Sequence, residues 1–127
     1  MMKSFKYLFK MVLLALLGAC SSGEKHSIDS LVGKTVEYRY GESVYHVTFD
    51  SENNLHWEAM TGEETGTKED EIYVAEWIDS DRLFISWGEA NGTAVSQILD
   101  FDNGKVYNHL VRQREASLGE GEIRVLD

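Results

Sequence analysis

From residue 28 onward, apolar and polar residues alternate with a period close to two, and turn-forming residues interrupt the alternation at short intervals. Alternation of this kind is typical of β-strands with one buried face. The chain contains no proline, which agrees, since proline removes a hydrogen bond from a β-ladder. We predict a helical turn over 28–32, capped by Ser27 and ended by Gly33, followed by eight strands. The predicted strands are 34–40, 44–49, 55–60, 72–78, 83–87, 93–101, 105–112 and 122–126.

The connections between these strands are predicted to be short, which makes successive strands antiparallel. Residues 61–71 hold five acidic residues and no large apolar side chain, so we expect a solvated loop there. A second loop, containing Gly119 and Gly121, is expected before the last strand. Eight antiparallel strands leave no exposed edge when they close into an up-and-down barrel of the lipocalin-like or calycin type. We therefore predict one all-β barrel domain over 28–127, with a β-sandwich as the alternative.

The clearest local signal is a central hairpin, formed by the runs 83–87 and 93–101. Between them, Asn91-Gly92 follows Glu89, and both residues can supply the positive φ angles of a tight hairpin. The first run ends in Trp87 and the second in Asp100-Phe101. We expect this hairpin to lie at the centre of the fold.

This stretch resembles the strand, turn and strand of the MoaF-like and phenolic acid decarboxylase families. In both families, an apolar strand that ends in Trp is followed by an acidic turn, a Gly-Thr pair and a strand that ends in Asp-Phe. The corresponding residues here are Trp87, Glu89, Gly92-Thr93 and Asp100-Phe101. The MoaF-like resemblance covers roughly residues 33–110 and implies a calycin barrel. It implies no particular cofactor, and no molybdopterin-binding signature is present for transfer.

The resemblance to phenolic acid decarboxylases fails at two catalytic positions. Those enzymes orient a substrate carboxylate with a Tyr-x-Tyr pair, which Tyr38-Arg39-Tyr40 matches. Their assisting arginine falls on Glu58 here, and their proton-donating glutamate falls on Ser80. Two carboxylates about 4 Å apart repel by roughly 4 kcal/mol at an effective dielectric near 20, so a carboxylate substrate facing Glu58 is disfavoured. We do not expect decarboxylation of a phenolic acid.

Residues 1–20 have the order of a secretory signal: three lysines, a short apolar run over 11–17, then Gly18 and Ala19 before Cys20. The apolar run is too short to cross a bilayer. The ending Leu17-Gly18-Ala19-Cys20 resembles the bacterial lipoprotein box, which implies a signal peptide over 1–19 and lipidation of Cys20. An ordinary signal peptide followed by a buried cysteine is the alternative. Residues 20–27 then read as a tether.

Lipidation would place the protein in the bacterial cell envelope, attached to the membrane through its N-terminal lipid. The residue after the cysteine is Ser21. In proteobacterial lipoproteins an aspartate at this position would be the signal for the inner membrane, so we expect this protein in the outer membrane, with the barrel facing the periplasm. The formal net charge is −10, and removal of residues 1–19 takes away three lysines and no carboxylate, which leaves −13. On this balance we expect no nucleic-acid partner, since phosphate backbones are repelled.

The candidate ligand-binding residues are mostly aromatic. Tyr38 and Tyr40 lie two apart on the first strand and therefore point to the same side. Periodicity places Trp57 inside the barrel and Glu58 outside, whereas the family resemblance places position 58 in the pocket. The full set of predicted pocket residues is Tyr38, Tyr40, Trp57, Glu58, Trp77 and Trp87.

The histidines suggest a metal site that we do not favour. If Phe49 lies opposite Leu55, then His46 faces Glu58 across the hairpin, and His56 shares their side. The opposite side of that hairpin is apolar and therefore buried, which puts the histidines in solvent. No phosphate loop, nucleophile elbow or paired-cysteine motif is present, and we predict no metal, cofactor or catalytic residue.

Three functions remain open on the sequence. The first is binding of a small apolar or aromatic ligand inside the barrel, without chemical change. The second is a lyase or isomerase that uses Tyr38 and Tyr40 as acid and base. The third is an envelope interaction module whose barrel is filled by its own side chains. A cavity separates the third from the others, and a titratable group with a perturbed pKa in that cavity favours an enzyme.

Overall fold

The computed structural model describes residues 28–126, which form a closed barrel of eight antiparallel strands. Each strand pairs with its neighbours in the chain, and β1 pairs with β8, so the ladder has no free edge. The predicted signal peptide, Cys20, the tether and the Ser27 cap lie outside the described residues. A short 3₁₀ helix, Ile28–Ser30, precedes β1 (Thr35–Tyr40), β2 (Ser43–Phe49), β3 (Asn54–Thr61), β4 (Lys68–Trp77), β5 (Arg82–Gly88), β6 (Ala94–Asp100), β7 (Lys105–Arg112) and β8 (Glu115–Leu126).

Alternation decides which side chains face inward, as the sequence predicts. On the β2–β3 hairpin, Val47 pairs with Trp57 and Phe49 with Leu55, and all four are buried.

Within 28–126, no helix is long and apolar enough to cross a membrane.

One end of the barrel is closed by apolar packing. Leu31, just after the 3₁₀ helix, is buried in the core, and Ile28 packs against it. The Gly33 amide donates a hydrogen bond of 2.7 Å to the Phe49 carbonyl, which fixes this segment to the end of β2. Among residues 28–126, the largest fully buried side chains are Tyr38, Tyr73, Phe49, Leu55, Leu83, Ile85, Leu99, Val36 and Val106.

The predicted acidic loop over 61–71 is shorter than expected. Strand β4 begins at Lys68, and its first residues pair with β3, with Glu69 opposite Trp57 and Glu71 opposite Leu55. Glu71 is only 5% exposed. The loop prediction was wrong here because an inward position occupied by glutamate carries no apolar signal.

The second predicted loop is also wrong, since Gly119 and Gly121 both lie within β8. The turn before β8 consists of Gln113 and Arg114, with φ angles of 49° and 70°. Two successive residues with positive φ make the tight turn that suits a two-residue hairpin. Neither is a glycine or an asparagine, so the turn carries no compositional signal.

The central hairpin has the predicted strands but only one of the two predicted positive φ angles. Trp87 pairs with Val95 across β5 and β6. Gly92 has φ of 88°, whereas Asn91 is outside the positive-φ region. The Asn91 side chain instead accepts a hydrogen bond of 2.9 Å from the Thr93 amide, so its role is to brace the turn.

We expect Gly92→Val to destabilise the domain by about 1 to 3 kcal/mol, because a β-branched residue is strained at positive φ. An added Cβ at Gly92 meets nothing within 4 Å, so the cost comes from the backbone alone. Gly88→Ala is the matched control, since Gly88 has an equally open Cβ position and no positive φ. Urea denaturation of both variants checks this, and an unchanged midpoint for Gly92→Val would contradict it.

Candidate functional site

The barrel holds a cavity of about 290 Å³ at the end opposite the 3₁₀ helix. Its lining includes Ser43 at the start of β2, Glu64 in the β3–β4 connection and Glu89 in the β5–β6 turn. Because all three positions lie beside connections at one end of the barrel, the cavity opens there. The core is therefore filled at one end and open at the other.

Five aromatic side chains line this cavity. Tyr38 and Tyr40 reach it from β1, Tyr45 from β2, Trp57 from β3 and Trp87 from β5. The first four form a continuous series of edge-to-face contacts, with ring centroids 6.4, 6.1 and 5.9 Å apart in that order. Val47, Val95 and Leu110 complete the apolar surface.

Three buried polar atoms in the cavity have no hydrogen-bond partner within 28–126. They are the hydroxyls of Tyr38 and Tyr40 and Oε1 of Gln97. Tyr38 is 2% exposed and Gln97 is 5% exposed, so bulk solvent does not reach them freely. Nε2 of Gln97 donates to Asn108 Oδ1 at 3.0 Å, which directs Oε1 away from that contact. A buried polar group without a partner costs about 1 to 3 kcal/mol, so these three atoms are unfavourable in an empty cavity.

Burial controls the protonation of the two tyrosines on β1. It raises the pKa of Tyr38 well above its ordinary value, and the neighbouring Tyr40 raises it further. The pKa of Tyr40 is raised as well, first by burial and then by Tyr45. Both hydroxyls therefore keep their protons at neutral pH and offer one donor each to whatever lies in the cavity.

A group of three carboxylates lies beside the tryptophans of the cavity. Oxygens of Glu69, Glu71 and Glu89 all lie within 4.8 Å of one another. Nε1 of Trp57 donates to Glu71 at 3.3 Å, and Nε1 of Trp87 donates to Glu89 at 3.4 Å. This cluster was not predicted from the sequence, because residues 61–71 were expected to form a solvated loop. The available signal was the spacing by two of positions 69, 71, 73, 75 and 77, which puts the glutamates on the face of the aromatic residues.

Two carboxyl groups of this cluster, those of Glu71 and Glu89, have raised pKa values. Burial, together with a hydrogen bond to Glu69, raises the pKa of Glu71 to about 7, and the hydrogen bond from Trp57 opposes the shift. Burial also raises the pKa of Glu89, with Trp87 opposing. Carboxyl groups that share a dry site cannot all ionise readily.

We expect the domain to lose stability as the pH rises from about 4.5 to about 7. The folded state keeps a proton on Glu71 up to a pKa of about 7, whereas the unfolded state releases it near 4.5, so folding stability is full at acid pH and falls through this window. The expected loss is about 1 to 3 kcal/mol. Glu71→Gln keeps an acceptor for Trp57 and should flatten the profile. Denaturant midpoints measured across this range for both proteins check it, and parallel profiles would contradict it.

Four of the six predicted pocket residues meet in the cavity, namely Tyr38, Tyr40, Trp57 and Trp87. The prediction for Glu58 is corrected, because its side chain points outward and lies 3.6 Å from Nζ of Lys68. Periodicity was the better guide at this position. The β2–β3 ladder does contain an irregularity, but it lies at Val44 and Tyr45 and leaves the face of Glu58 unchanged.

The prediction for Trp77 is corrected as well. Its side chain faces inward, on the same side of β4 as Tyr73 and Ala75. It packs against Phe101 with ring centroids 5.9 Å apart, outside the residues that line the cavity. Trp77 ends β4 next to the β4–β5 turn, at the opposite end of the barrel from the cavity.

The histidines stand in the predicted register but do not converge on a common ligand. His46 lies opposite Glu58 and His56 opposite Thr48. Nε2 of His46 lies 3.1 Å from a carboxylate oxygen of Glu37 on β1, and Nδ1 of His56 lies 2.8 Å from Asp50. Each ring therefore has its own acidic partner on the outer surface.

Comparison with known proteins identifies the family of this barrel. A crystal structure described as a "putative beta-lactamase" from Burkholderia vietnamiensis has a similar fold, with a TM-score of 0.71 and 21% sequence identity. The match covers 81% of this chain and 99% of that chain, and at this identity it shows the fold alone. No curated protein matches the sequence. The MoaF-like family profile matches residues 32–124, which confirms the resemblance drawn from the central hairpin. The chain belongs to the MoaF-like family.

Proposed function

We propose that this protein is a lipid-anchored barrel of the bacterial cell envelope that binds a small, largely apolar or aromatic ligand. The observation that carries the proposal is the open cavity with unpartnered polar atoms of Tyr38, Tyr40 and Gln97 in its wall. A barrel filled by its own side chains would have no such space. The interaction module with a filled barrel is therefore the weakest of the three functions.

The size and surface of the cavity define the ligand class. A volume of about 290 Å³ lies at the lower end of the range for small-molecule pockets, which suits one aromatic ring with a short substituent. Five aromatic rings supply an apolar wall with fixed orientation. The polar atoms of Tyr38 and Gln97 would then orient the ligand by hydrogen bonds.

The cavity wall favours binding over catalysis. It contains no lysine, arginine, histidine or cysteine among the described residues. Ser43 supplies a hydroxyl, but within 28–126 it makes no hydrogen bond to Glu64 or Glu89, the carboxyl groups of that wall that could activate it as a nucleophile. Tyr38 and Tyr40 hold their protons too firmly to act as bases at neutral pH. The β-lactamase description of the similar structure therefore has no counterpart in this wall.

One observation favours a second candidate, a lyase or isomerase. Glu89 lines the cavity and burial raises its pKa, which favours the protonated form that a proton donor needs. In such an enzyme, Tyr38 and Tyr40 would position the substrate and Glu89 would transfer the proton. Proton NMR of a bound ligand after long incubation separates the two candidates, because a carrier returns the ligand unchanged.

Tryptophan fluorescence tests binding directly. Trp57 and Trp87 line the cavity and Trp77 does not. We expect single-ring aromatic compounds to change the emission of the wild type and of Trp77→Phe with the same dissociation constant. The double variant Trp57→Phe with Trp87→Phe should lose the response. A response that persists in this double variant would place binding elsewhere and contradict the proposal.

The proposed anchoring rests on residues 1–20 of the sequence. We expect Cys20→Ser to abolish lipidation, because the serine hydroxyl cannot form the thioether that holds the lipid. The variant protein should then leave the detergent phase or accumulate in its unprocessed form. Detergent partitioning and intact mass of both proteins check this. If the variant has the mature mass and partitions as the wild type does, the lipoprotein assignment is wrong.

A further inference from the structure

We propose that the ligand carries a cationic amine, held between Glu64 and Glu89 at the open end of the cavity. Its apolar part would lie against the wall formed by the tyrosines and tryptophans. This inference rests on the proposed ligand-binding function and adds the charge of the ligand to it. It follows from the charges, acceptors and rings that the fold gathers at this end of the barrel.

Among the described residues, the side chains at the cavity that can carry a charge near neutral pH are all glutamates. Glu64 and Glu89 line it, and Glu69 and Glu71 lie within 4.8 Å of Glu89. In the described part of the chain, no lysine, arginine or histidine forms an ion pair with any of these four carboxylates. Glutamates elsewhere have such partners, as Glu37 has Arg124 at 3.2 Å. The field at this end of the barrel therefore attracts a cation and repels a carboxylate.

The hydrogen-bonding groups in the cavity point to the same ligand. Oε1 of Gln97 can only accept, and it has no donor within 28–126 although the residue is 95% buried. An ammonium group offers three donors and no acceptor. Glu64 already accepts the Tyr45 hydroxyl at 2.7 Å, and its free lone pairs can take a further donor. The Tyr38 and Tyr40 hydroxyls can accept as well as donate, so the wall offers several acceptors to an ammonium group.

The aromatic wall adds a third contribution. Cations are attracted to the faces of tryptophan and tyrosine rings, and a dry site strengthens the attraction. Tyr45 and Trp57 form part of this wall, with ring centroids 5.9 Å apart. Tyr45 also contacts Glu64, so the rings and the carboxylates belong to one surface. Rings together with carboxylates form the kind of site that binds organic ammonium ions.

Calorimetric titration with three compounds of matched size tests the charge of the ligand. The compounds are 2-phenylethylamine, 2-phenylethanol and phenylacetate, which share one ring and differ in the charge of the terminal group. We expect the amine to bind at least about tenfold more tightly than the alcohol, and phenylacetate to bind more weakly than either. Equal affinities, or a preference for phenylacetate, would overturn the inference.

Variants assign the effect to the carboxylates. The double variant Glu64→Gln with Glu89→Gln keeps acceptors for Tyr45 and Trp87, and it should lower the affinity for the amine to that for the alcohol. Glu58→Gln is the matched control, since Glu58 lies on the outer surface beside Lys68 and should leave all affinities unchanged. Thermal unfolding of each variant shows that it is folded. An amine preference that survives in the double variant would overturn the inference.

The same titrations separate this inference from the proposed function. If the alcohol binds in the cavity and the amine has no advantage, the barrel is a ligand carrier and the inference about charge fails. If none of the three compounds binds, both fail together. A fourth titration with calcium chloride tests a metal ion at the carboxylates. If calcium binds and the amine does not displace it, the carboxylates are a metal site, and the inference that the ligand is an amine is wrong.

Discussion

Gly121→Ala is expected to destabilise the barrel by about 2 to 3 kcal/mol, although it adds only one methyl group. A Cβ at this position would lie 2.6 Å from the carbonyl oxygen of Arg39 and 2.7 Å from Cδ1 of Tyr40. The carbonyl belongs to the backbone of β1, which pairs with β8 through Arg39 and Glu122. It cannot move away without disturbing that ladder. Glycine at this position permits the close approach of the two strands.

Gly119→Ala provides the comparison, because Gly119 lies two residues earlier in the same strand. Its added Cβ would be 3.9 Å from Cβ of Asn108, which is ordinary contact. We expect its stability to be close to that of the wild type. Equilibrium denaturation of the two alanine variants measures the difference. Equal midpoints would show that β1 and β8 can separate freely and that Tyr40 is less firmly held than the structure indicates.

The double variant Tyr38→Phe with Tyr40→Phe is expected to weaken ligand binding by about tenfold or more. A hydrogen-bonding ligand loses two buried partners, while the rings remain in place. The two hydroxyls have no partner in the described part of the chain, so their removal should leave stability within about 1 to 2 kcal/mol of the wild type. Binding titration and denaturation of the same preparation measure both quantities.

Tyr73→Phe is the control for this double variant. The Tyr73 hydroxyl donates to the carbonyl of Ser51 at 2.7 Å, and it lies outside the residues that line the cavity. Its removal should lower stability by about 1 kcal/mol and leave ligand affinity unchanged. Unchanged affinity in the double variant would remove Tyr38 and Tyr40 from the binding site. A loss of affinity in Tyr73→Phe would show that the assay reports stability rather than binding.

The fold could be predicted where one face of a strand is apolar. Alternation and tight turns predicted the barrel. The turn over residues 50–54 predicted the register of the β2–β3 hairpin, in which Phe49 lies opposite Leu55. The start of β4 was missed, because its inward positions hold Glu69 and Glu71 instead of apolar residues. The β7–β8 turn was missed for another reason, since Gln113 and Arg114 adopt positive φ without being glycine or asparagine.

The candidate site was predictable in its aromatic part and not in its acidic part. Period-two alternation tells which face a side chain occupies, and this placed Tyr38 and Trp57 correctly inside. It does not tell how far along the barrel axis a residue lies, which is why Trp77 was placed in the pocket although it packs at the far end. Glu89 was recognised only as a turn residue. Its position at the cavity follows from the pairing of β4 with β5, which brings the β5–β6 turn beside Glu69 and Glu71 of β4.

Native mass spectrometry of the protein extracted in detergent from its own membranes tests the central claim, that the cavity binds a small molecule. We expect the folded protein to carry an additional mass that collisional activation removes. The same mass should be absent from the Tyr38→Phe, Tyr40→Phe double variant purified in parallel and present in Tyr73→Phe. A wild-type protein that has only the mass of its own polypeptide and N-terminal lipid would contradict the claim.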